Sequence, residues 1–184
     1  VMLTVTASAV WAFFNAGYIV FLSFAPVVLV ADGFETVSAL GIVSITSWVM
    51  ILSGVVGGQI ADRSGRHDAV FYICMAAAVL ALLMLVLGSL AVPSTLLLGL
   101  MGMAPAGVIM ALTASAMKPE NRALGMGLFF TGYFFVQAPA PAIAGWLFDI
   151  TDDAFWPILF AAGMYASAAV ANVIFRYAQK RLPL

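Results

Sequence analysis

Charge is what this chain has least of. Only 8% of its 184 residues are Asp, Glu, Lys or Arg, while 65% are hydrophobic, so there is too little polar surface to coat a soluble globule. The apolar residues form runs of roughly 20, the length that crosses a bilayer as a helix, and they lack the alternating polarity of membrane β-strands. The composition predicts an all-α, polytopic membrane protein with six transmembrane helices and no soluble domain.

The chain is also poor in the residues that enzymes use. Cys74 is the single cysteine, which excludes an internal disulfide. His67 is the single histidine and no Gly-x-Ser-Gly occurs, so the sequence offers no nucleophile with a base inside the membrane. We therefore expect no enzymatic activity, no metal and no cofactor. The net charge of −1 implies no nucleic-acid partner.

Positive charge is absent from every second connection between the spans. The basic residues are Arg63 and Arg66 in the second connection, Lys118 and Arg122 in the fourth, and Arg176, Lys180 and Arg181 in the tail. The acids Asp32, Glu35, Asp149, Asp152 and Asp153 lie in the first and fifth connections. Basic residues near span ends are retained in the cytoplasm. The pattern predicts a plasma (inner) membrane protein with both ends of this segment cytoplasmic.

Apolar runs and helix-ending residues predict the limits of the six spans. We expect helices over about Thr6–Ala31, Thr36–Ala61, Asp68–Gly88, Ser94–Lys118, Asn121–Phe148 and Ala154–Gln179. Asp68, Asn121 and Asp153 are placed to cap the starts of the third, fifth and sixth spans. The chain begins without Met or a signal peptide, and we interpret it as a piece of a longer protein.

A faint internal repeat relates the second span to the fifth. The pattern Gly, three residues, Asp, one residue, Ser or Thr begins at Gly58 and again 87 positions later at Gly145. One copy ends on the cytoplasmic side and the other outside, as in the inverted repeats of many secondary transporters. The pattern predicts two three-helix repeats, residues 1–88 and 89–184.

The most informative motif is the turn after the second span. Gly54 and Gly58 form a small-residue face for close helix packing, and Gly65 allows a tight reversal. Asp62 opposes the dipole of its own helix and needs a partner elsewhere: Arg63, Arg66, Arg122 or the N-terminus of another helix. A contact that forms in only one conformation would be a switch. The alternative is that Arg63 and Arg66 only set topology on a solvated loop.

The run from Gly58 to His67 resembles the cytoplasmic signature of the major facilitator superfamily. Gly58, Asp62, Arg63, Gly65 and Arg66 match it, and His67 stands where Lys or Arg is usual. Residues 119–149 are similar to the fourth loop and fifth helix of a six-helix half of such transporters. The family often has Gly-Pro in that helix, whereas this chain has Ala-Pro-Ala-Pro-Ala over residues 138–142, which puts a gating role of the segment in doubt.

The resemblance implies half of a twelve-helix transporter with a second six-helix half upstream. It looks more like the C-terminal half, loosely similar to cyanate permeases. It implies that the first and fourth spans line a central cavity, the second and fifth act as gates, and the third and sixth are peripheral. The function it implies is secondary active transport of a small organic solute by alternating access. The alternative is a self-assembling membrane channel or a non-transporting membrane subunit.

No ionisable residue lies in the central part of a span, so a solute would meet uncharged groups. Asn15 and Tyr18 share one helix face, and Tyr133 and Gln137 share another. These residues are either ties between helices or solute contacts. Pro105, Pro139 and Pro141 are candidate hinges, with static kinks as the alternative. The expected partners are the solute, the lipid bilayer and the second half.

Overall fold

A computed structural model describes residues 2–88, 90–117 and 119–181, and these residues are helical with short connections. The α-helices are α1 (Met2–Ala31), α2 (Thr36–Ser64), α3 (His67–Leu87), α4 (Ala91–Gly102), α5 (Ala106–Ser115), α6 (Arg122–Gln137), α7 (Ala140–Thr151) and α8 (Phe155–Arg181). A short 3₁₀ helix, Pro119–Asn121, precedes α6. The all-α prediction is confirmed for this part of the chain.

Six helical segments of the described chain are long and apolar enough to cross a membrane. They are Met2–Ala31, Thr36–Ser64, His67–Leu87, Ala91–Thr113, Arg122–Thr151 and Phe155–Arg181. Each starts within a few residues of its predicted start, because the apolar runs fix the spans. The fourth span comprises α4 and α5 and the fifth comprises α6 and α7. The predicted end of the fourth span, Lys118, lies outside the described residues.

The spans of each predicted repeat pack mainly against spans of the other repeat. α1 runs along α8 and also packs against α6, while α4 packs against α2 and α3. The first span of each predicted repeat therefore contacts mainly the second and third spans of the other. The seam between α1 and α8 is tight: a Cβ added at Gly17 would lie 2.8 Å from the Tyr165 ring, and Phe14 meets that ring edge to face. The two predicted repeats are thus interleaved around one core.

Burial is uneven among the spans. About half of the most apolar stretch of the fourth span is buried, against about a tenth of that of the fifth. Phe129 is the one buried residue of α6, and α2 exposes Val37, Trp48 and Leu52. The second and fifth spans thus present large apolar faces that lipid or another bundle of helices must cover.

The charged connections gather at opposite ends of the bundle. At one end, Nη2 and Nε of Arg176 donate to Oδ1 of Asp68 at 2.6 and 2.9 Å, which joins the start of α3 to the end of α8. At the other end, Asp32, Asp152 and Asp153 line one cavity of about 500 Å³. The basic and acidic connections that alternate along the sequence therefore lie at opposite ends of the bundle.

The capping predictions have three outcomes. Asp68 is not the cap of α3, because the helix already begins at His67 and the Asp68 carboxylate turns to Arg176 instead. Asn121 occupies the cap position of α6, but its side chain makes no capping hydrogen bond. At the start of α8, Oδ1 of Asp153 accepts a hydrogen bond from the Phe155 N–H at 2.8 Å, as predicted.

Candidate functional site

The predicted switch loop is a tight reversal between α2 and α3. Gly65 follows α2 with φ +63°, the left-handed conformation that glycine adopts without strain. The Arg66 N–H donates to the Ser64 hydroxyl at 3.3 Å, and α3 begins at the next residue. Asp62, Arg63 and Arg66 are all exposed on this reversal. Their side chains are therefore accessible to a partner.

Asp62 meets a histidine and not an arginine. Its Oδ1 lies 3.2 Å from Nε2 of His67, and the Asp62 side chain remains 81% exposed. In this conformation Asp62 forms no ion pair with Arg63, Arg66 or Arg122 in the described part of the chain, and its partner is the first residue of α3, at the N-terminus of another helix. The short reversal is the reason, because it sets the first residue of α3 beside the last turn of α2. The one position that departs from the family signature thus supplies the contact.

The small-residue face of α2 is shifted by one position from the prediction. A Cβ added at Gly57 would lie 2.6 Å from the Cα of Ala104, and one at Gly54 would lie 3.5 Å from Met103. A Cβ added at Gly58 would meet nothing within 4 Å. The glycine that permits close packing is therefore Gly57, because α2 lies against the break between α4 and α5, while Gly54 has room for a Cβ in ordinary contact with Met103. Gly58, the signature glycine, has open space in this conformation.

Pro105 lies where the fourth span is interrupted. α4 ends at Gly102 and α5 begins at Ala106, with Pro105 buried between them at φ −86° and ψ 2°. A proline has no N–H, so the carbonyl four residues earlier, on Met101, loses its helical partner. The predicted hinge coincides with a break in the helix. Movement at this point stays a prediction.

Pro139 and Pro141 lie where the fifth span is interrupted. Pro139 precedes α7 with φ −77° and ψ −15°, within the helical region, and Pro141 falls in the first turn of α7. The carbonyls left without a helical donor are those of Phe135 and Gln137. The Ala138 N–H still donates to the Phe134 carbonyl at 3.0 Å. The chain therefore keeps its helical path, and the two prolines are exposed or half-exposed.

The two predicted pairs of polar residues lie on helices that pack against each other. Asn15 and Tyr18 on α1 and Tyr133 and Gln137 on α6 are all half-buried. Trp11 links the helices, since its ring centroid is 6.5 Å from that of Tyr133. We define these five residues as the polar stripe.

Asn15 does not tie α1 to another helix through its amide nitrogen. Its Nδ2 donates to the Trp11 carbonyl of its own helix at 2.8 Å. The expectation of an interhelical tie is not met by that group among the described residues. The tie that does form is Ser8, whose buried hydroxyl donates to the Phe129 carbonyl of α6 at 2.6 Å.

Sequence reasoning missed Ser8 and Trp11, although a signal was present. Ser8, Trp11, Asn15 and Tyr18 follow one another at helical spacing, so they share one face of α1. It also missed two buried polar groups on α8. Tyr165 is buried and its hydroxyl has no hydrogen-bond partner among the described residues, and the same holds for Oδ1 of Asn172. Buried amides and hydroxyls in a span usually find partners, which makes these groups unusual.

Comparison with known families identifies the chain. Residues 8–183 match the family model of the Major Facilitator Superfamily, which is nearly the whole sequence. Comparisons with curated proteins and with solved structures gave no significant match. The six apolar spans, the reversal that carries the signature residues and this match agree. The protein is therefore a multi-pass membrane protein that belongs to the major facilitator superfamily of transporters.

Proposed function

We propose that the chain forms one six-helix half of a secondary active transporter that moves a small organic solute by alternating access. The observation that supports this best is the polar stripe, where hydrogen-bonding and aromatic groups of α1 and α6 adjoin. No ionisable residue lies in the middle of a span. This half therefore contributes hydrogen bonds and aromatic contacts to the solute, and any charged contact comes from the other half.

The exposed faces of the second and fifth spans are the surfaces that the other six-helix half would cover. They are apolar and are the least buried of the six spans. In this proposal the chain is the C-terminal half, loosely like cyanate permeases. It lies in the plasma (inner) membrane with both ends of the segment cytoplasmic. Basic connections are retained on that side during insertion, and the anionic lipids of the cytoplasmic leaflet attract them.

A self-assembling channel or non-transporting subunit would use the same faces to bind copies of itself. Light scattering of the purified full-length protein separates the two functions. A monomer that carries twelve spans and accumulates solute supports the transporter. A ring of six-span chains that dissipates a solute gradient without coupling supports the channel.

The polar stripe is tested by solute uptake. The full-length protein in proteoliposomes is screened against a panel of small organic solutes, with and without a pH gradient. For a transported solute, Gln137→Leu and Tyr133→Phe each remove one uncharged hydrogen bond, and we expect KM to rise about 2- to 10-fold. Thr131→Val is the matched control, because the Thr131 hydroxyl donates to the Gly127 carbonyl of its own helix. Equal KM for all three variants and the wild type would remove the stripe from the solute site.

The switch role belongs to the contact between Asp62 and His67. In this proposal the contact holds the reversal in one conformation, and Asp62 exchanges it for another partner when the bundle rocks. Asp62→Asn weakens it, so we expect a lower transport rate and altered conformational populations. Asp149→Asn changes the corresponding carboxylate of the fifth span as a control. If Asp62→Asn changes neither measurement, Asp62 has no switch role.

A further inference from the structure

An apolar groove follows the outer seam between α3 and α8. It has a volume of about 550 Å³. α3 lines it with Tyr72, Ala76, Val79 and Leu83 among others, and α8 contributes Ala166 and Ala169. The small side chains of α8 leave the groove unfilled, although the two helices pack against each other. In a membrane-spanning bundle, an open apolar groove on this side faces the hydrocarbon of the bilayer.

A second cavity lies on the same two helices, nearer the basic end of the bundle. It has a volume of about 410 Å³ and is lined by Arg66, His67, Asp68, Ala69 and Arg176, among others. One helical turn separates Asp68 from Tyr72, whose hydroxyl accepts a hydrogen bond from Asn172 at 3.1 Å. The seam therefore runs from a charged pocket, past a polar layer, into an apolar groove.

Two arginines and one aspartate line the charged pocket, and the Asp62 carboxylate lies 3.2 Å from His67 at its edge. Arg176 is held by Asp68 through Nε and Nη2, and its Nη1 donates to Gln179 at 3.0 Å. Arg66 is exposed at the mouth of the pocket, and Lys180 lies one turn beyond Arg176 on α8. Arg66 is thus available to a ligand, while the charge of Arg176 is offset by Asp68.

The length and position of the groove along α3 limit the kind of molecule that it can hold. Tyr72 and Leu83 are 11 residues apart on α3, which corresponds to about 16 Å at the rise of an α-helix. α3 runs from His67 to Leu87, so the groove begins more than one turn inside the charged end of α3 and continues past the middle of the helix. A transmembrane helix from a second copy would need a groove twice as long, and a soluble anion would need none. These dimensions suit one acyl chain whose head group lies at the start of α3 and whose tail extends past the middle of that helix.

We propose that an anionic glycerophospholipid of the leaflet on the basic side binds this seam. Its acyl chain lies in the groove between α3 and α8, and its phosphate lies at Arg66 beside Arg176. Basic pockets between transmembrane helices on the cytoplasmic side suit anionic head groups, and a guanidinium pairs well with phosphate. The lipid would brace the first turn of α3 against the last turns of α8.

Native mass spectrometry of the full-length protein tests this with added phosphatidylglycerol or phosphatidylcholine of identical chains. The wild type should retain phosphatidylglycerol about five-fold better, the effect of roughly one basic residue at a membrane surface. Arg66→Gln should abolish this preference and Arg66→Lys should keep most of it. Arg63→Gln is the control, because Arg63 is exposed on the same reversal and does not line the pocket.

The groove is tested separately from the head-group pocket. Ala76→Trp fills the groove and should reduce retention of both lipids, and Ala76→Leu should reduce it less. Ile73→Trp is the matched control, because Ile73 lies on α3, is exposed and does not line the groove. Thermal unfolding of each variant identifies those that fold like the wild type, and only these are compared.

Three results would overturn the proposal. The first is equal retention of the two lipids by the wild type, and the second is unchanged retention by the folded Ala76 variants. The third is a wild-type dimer that Ala76→Trp dissociates, which would assign the groove to a second copy of the chain. None of these measurements uses transport, so failure here leaves the proposed transport function untouched.

Discussion

Two spans of this protein are interrupted by proline near their middle, and the two interruptions differ. The break at Pro105 is buried, departs from helical geometry and lies against Gly54 and Gly57 of α2. The interruption at Pro139 is exposed and keeps helical dihedral angles. Proline removes one hydrogen bond in each case, so the difference comes from packing. We therefore expect the break at Pro105, which a neighbouring helix fits closely, to bend less than the exposed one at Pro139.

The largest expected effect comes from the glycine that fits the buried break. Gly57→Ala places a methyl group 2.6 Å from the Ala104 Cα and nearer still to the Ala104 carbonyl oxygen, and these backbone atoms cannot rotate away. We expect a loss of about 3 kcal/mol in the free energy of unfolding, or failure to fold. Gly58→Ala is the matched control in open space, and it should leave the stability unchanged or raise it by up to about 1 kcal/mol. Thermal unfolding in detergent measures both, and equal midpoints would mean that α2 does not fit the break closely.

Replacement by alanine should lower the stability at Pro105 but leave it unchanged or raise it at Pro139. Pro105→Ala lets α4 continue through the break against the packing of α2, and we expect a loss of about 1 kcal/mol. Pro139→Ala supplies an N–H to the Phe135 carbonyl without a change of backbone geometry, so the stability should stay the same or rise by up to about 1 kcal/mol. Thermal unfolding compares them, and destabilisation by Pro139→Ala as large as by Pro105→Ala would abolish the distinction.

A smaller effect is expected where the exposed fifth span is fastened to α1. Ser8→Ala removes the buried hydrogen bond to the Phe129 carbonyl, which should cost about 1 kcal/mol of stability. Ser23→Ala is the control, because the exposed Ser23 hydroxyl donates only to the Ile19 carbonyl of its own helix. Hydrogen exchange of α6 should accelerate in the first variant and not in the second. Unchanged exchange in both would show that α6 does not depend on this bond.

The six spans were predictable because each is encoded locally. A run of about 20 apolar residues crosses a bilayer wherever it packs, so the limits of α1, α3 and α8 follow from the residues themselves. The breaks at Pro105 and Pro139 follow from the missing N–H in the same way. What one residue dictates by its own chemistry could be predicted from the sequence.

Contacts between spans were less predictable. The partner of Asp62 is His67 because a short reversal sets the two helix ends side by side, whereas the negative charge of Asp62 predicted only an arginine or the N-terminus of another helix. The close contact at Gly57 in place of Gly58 depends on the rotation of α2 about its axis, which the surrounding glycines do not encode. Asn15 donates to the Trp11 carbonyl of its own helix, a contact that the helical spacing of four residues permits. Each of these is settled by the relative placement of two helices.

The ion pair between Asp68 and Arg176 joins residues 108 positions apart in the chain. At about 5–20 residues per second, a ribosome makes Arg176 roughly 5–20 s after Asp68. The rest of α3 is translated early in that interval, whereas the guanidinium that holds its carboxylate does not exist until the interval ends. The pair can close only after the sixth span has been made and inserted. It is therefore among the last contacts to form, and its closure marks the completion of the bundle during biosynthesis.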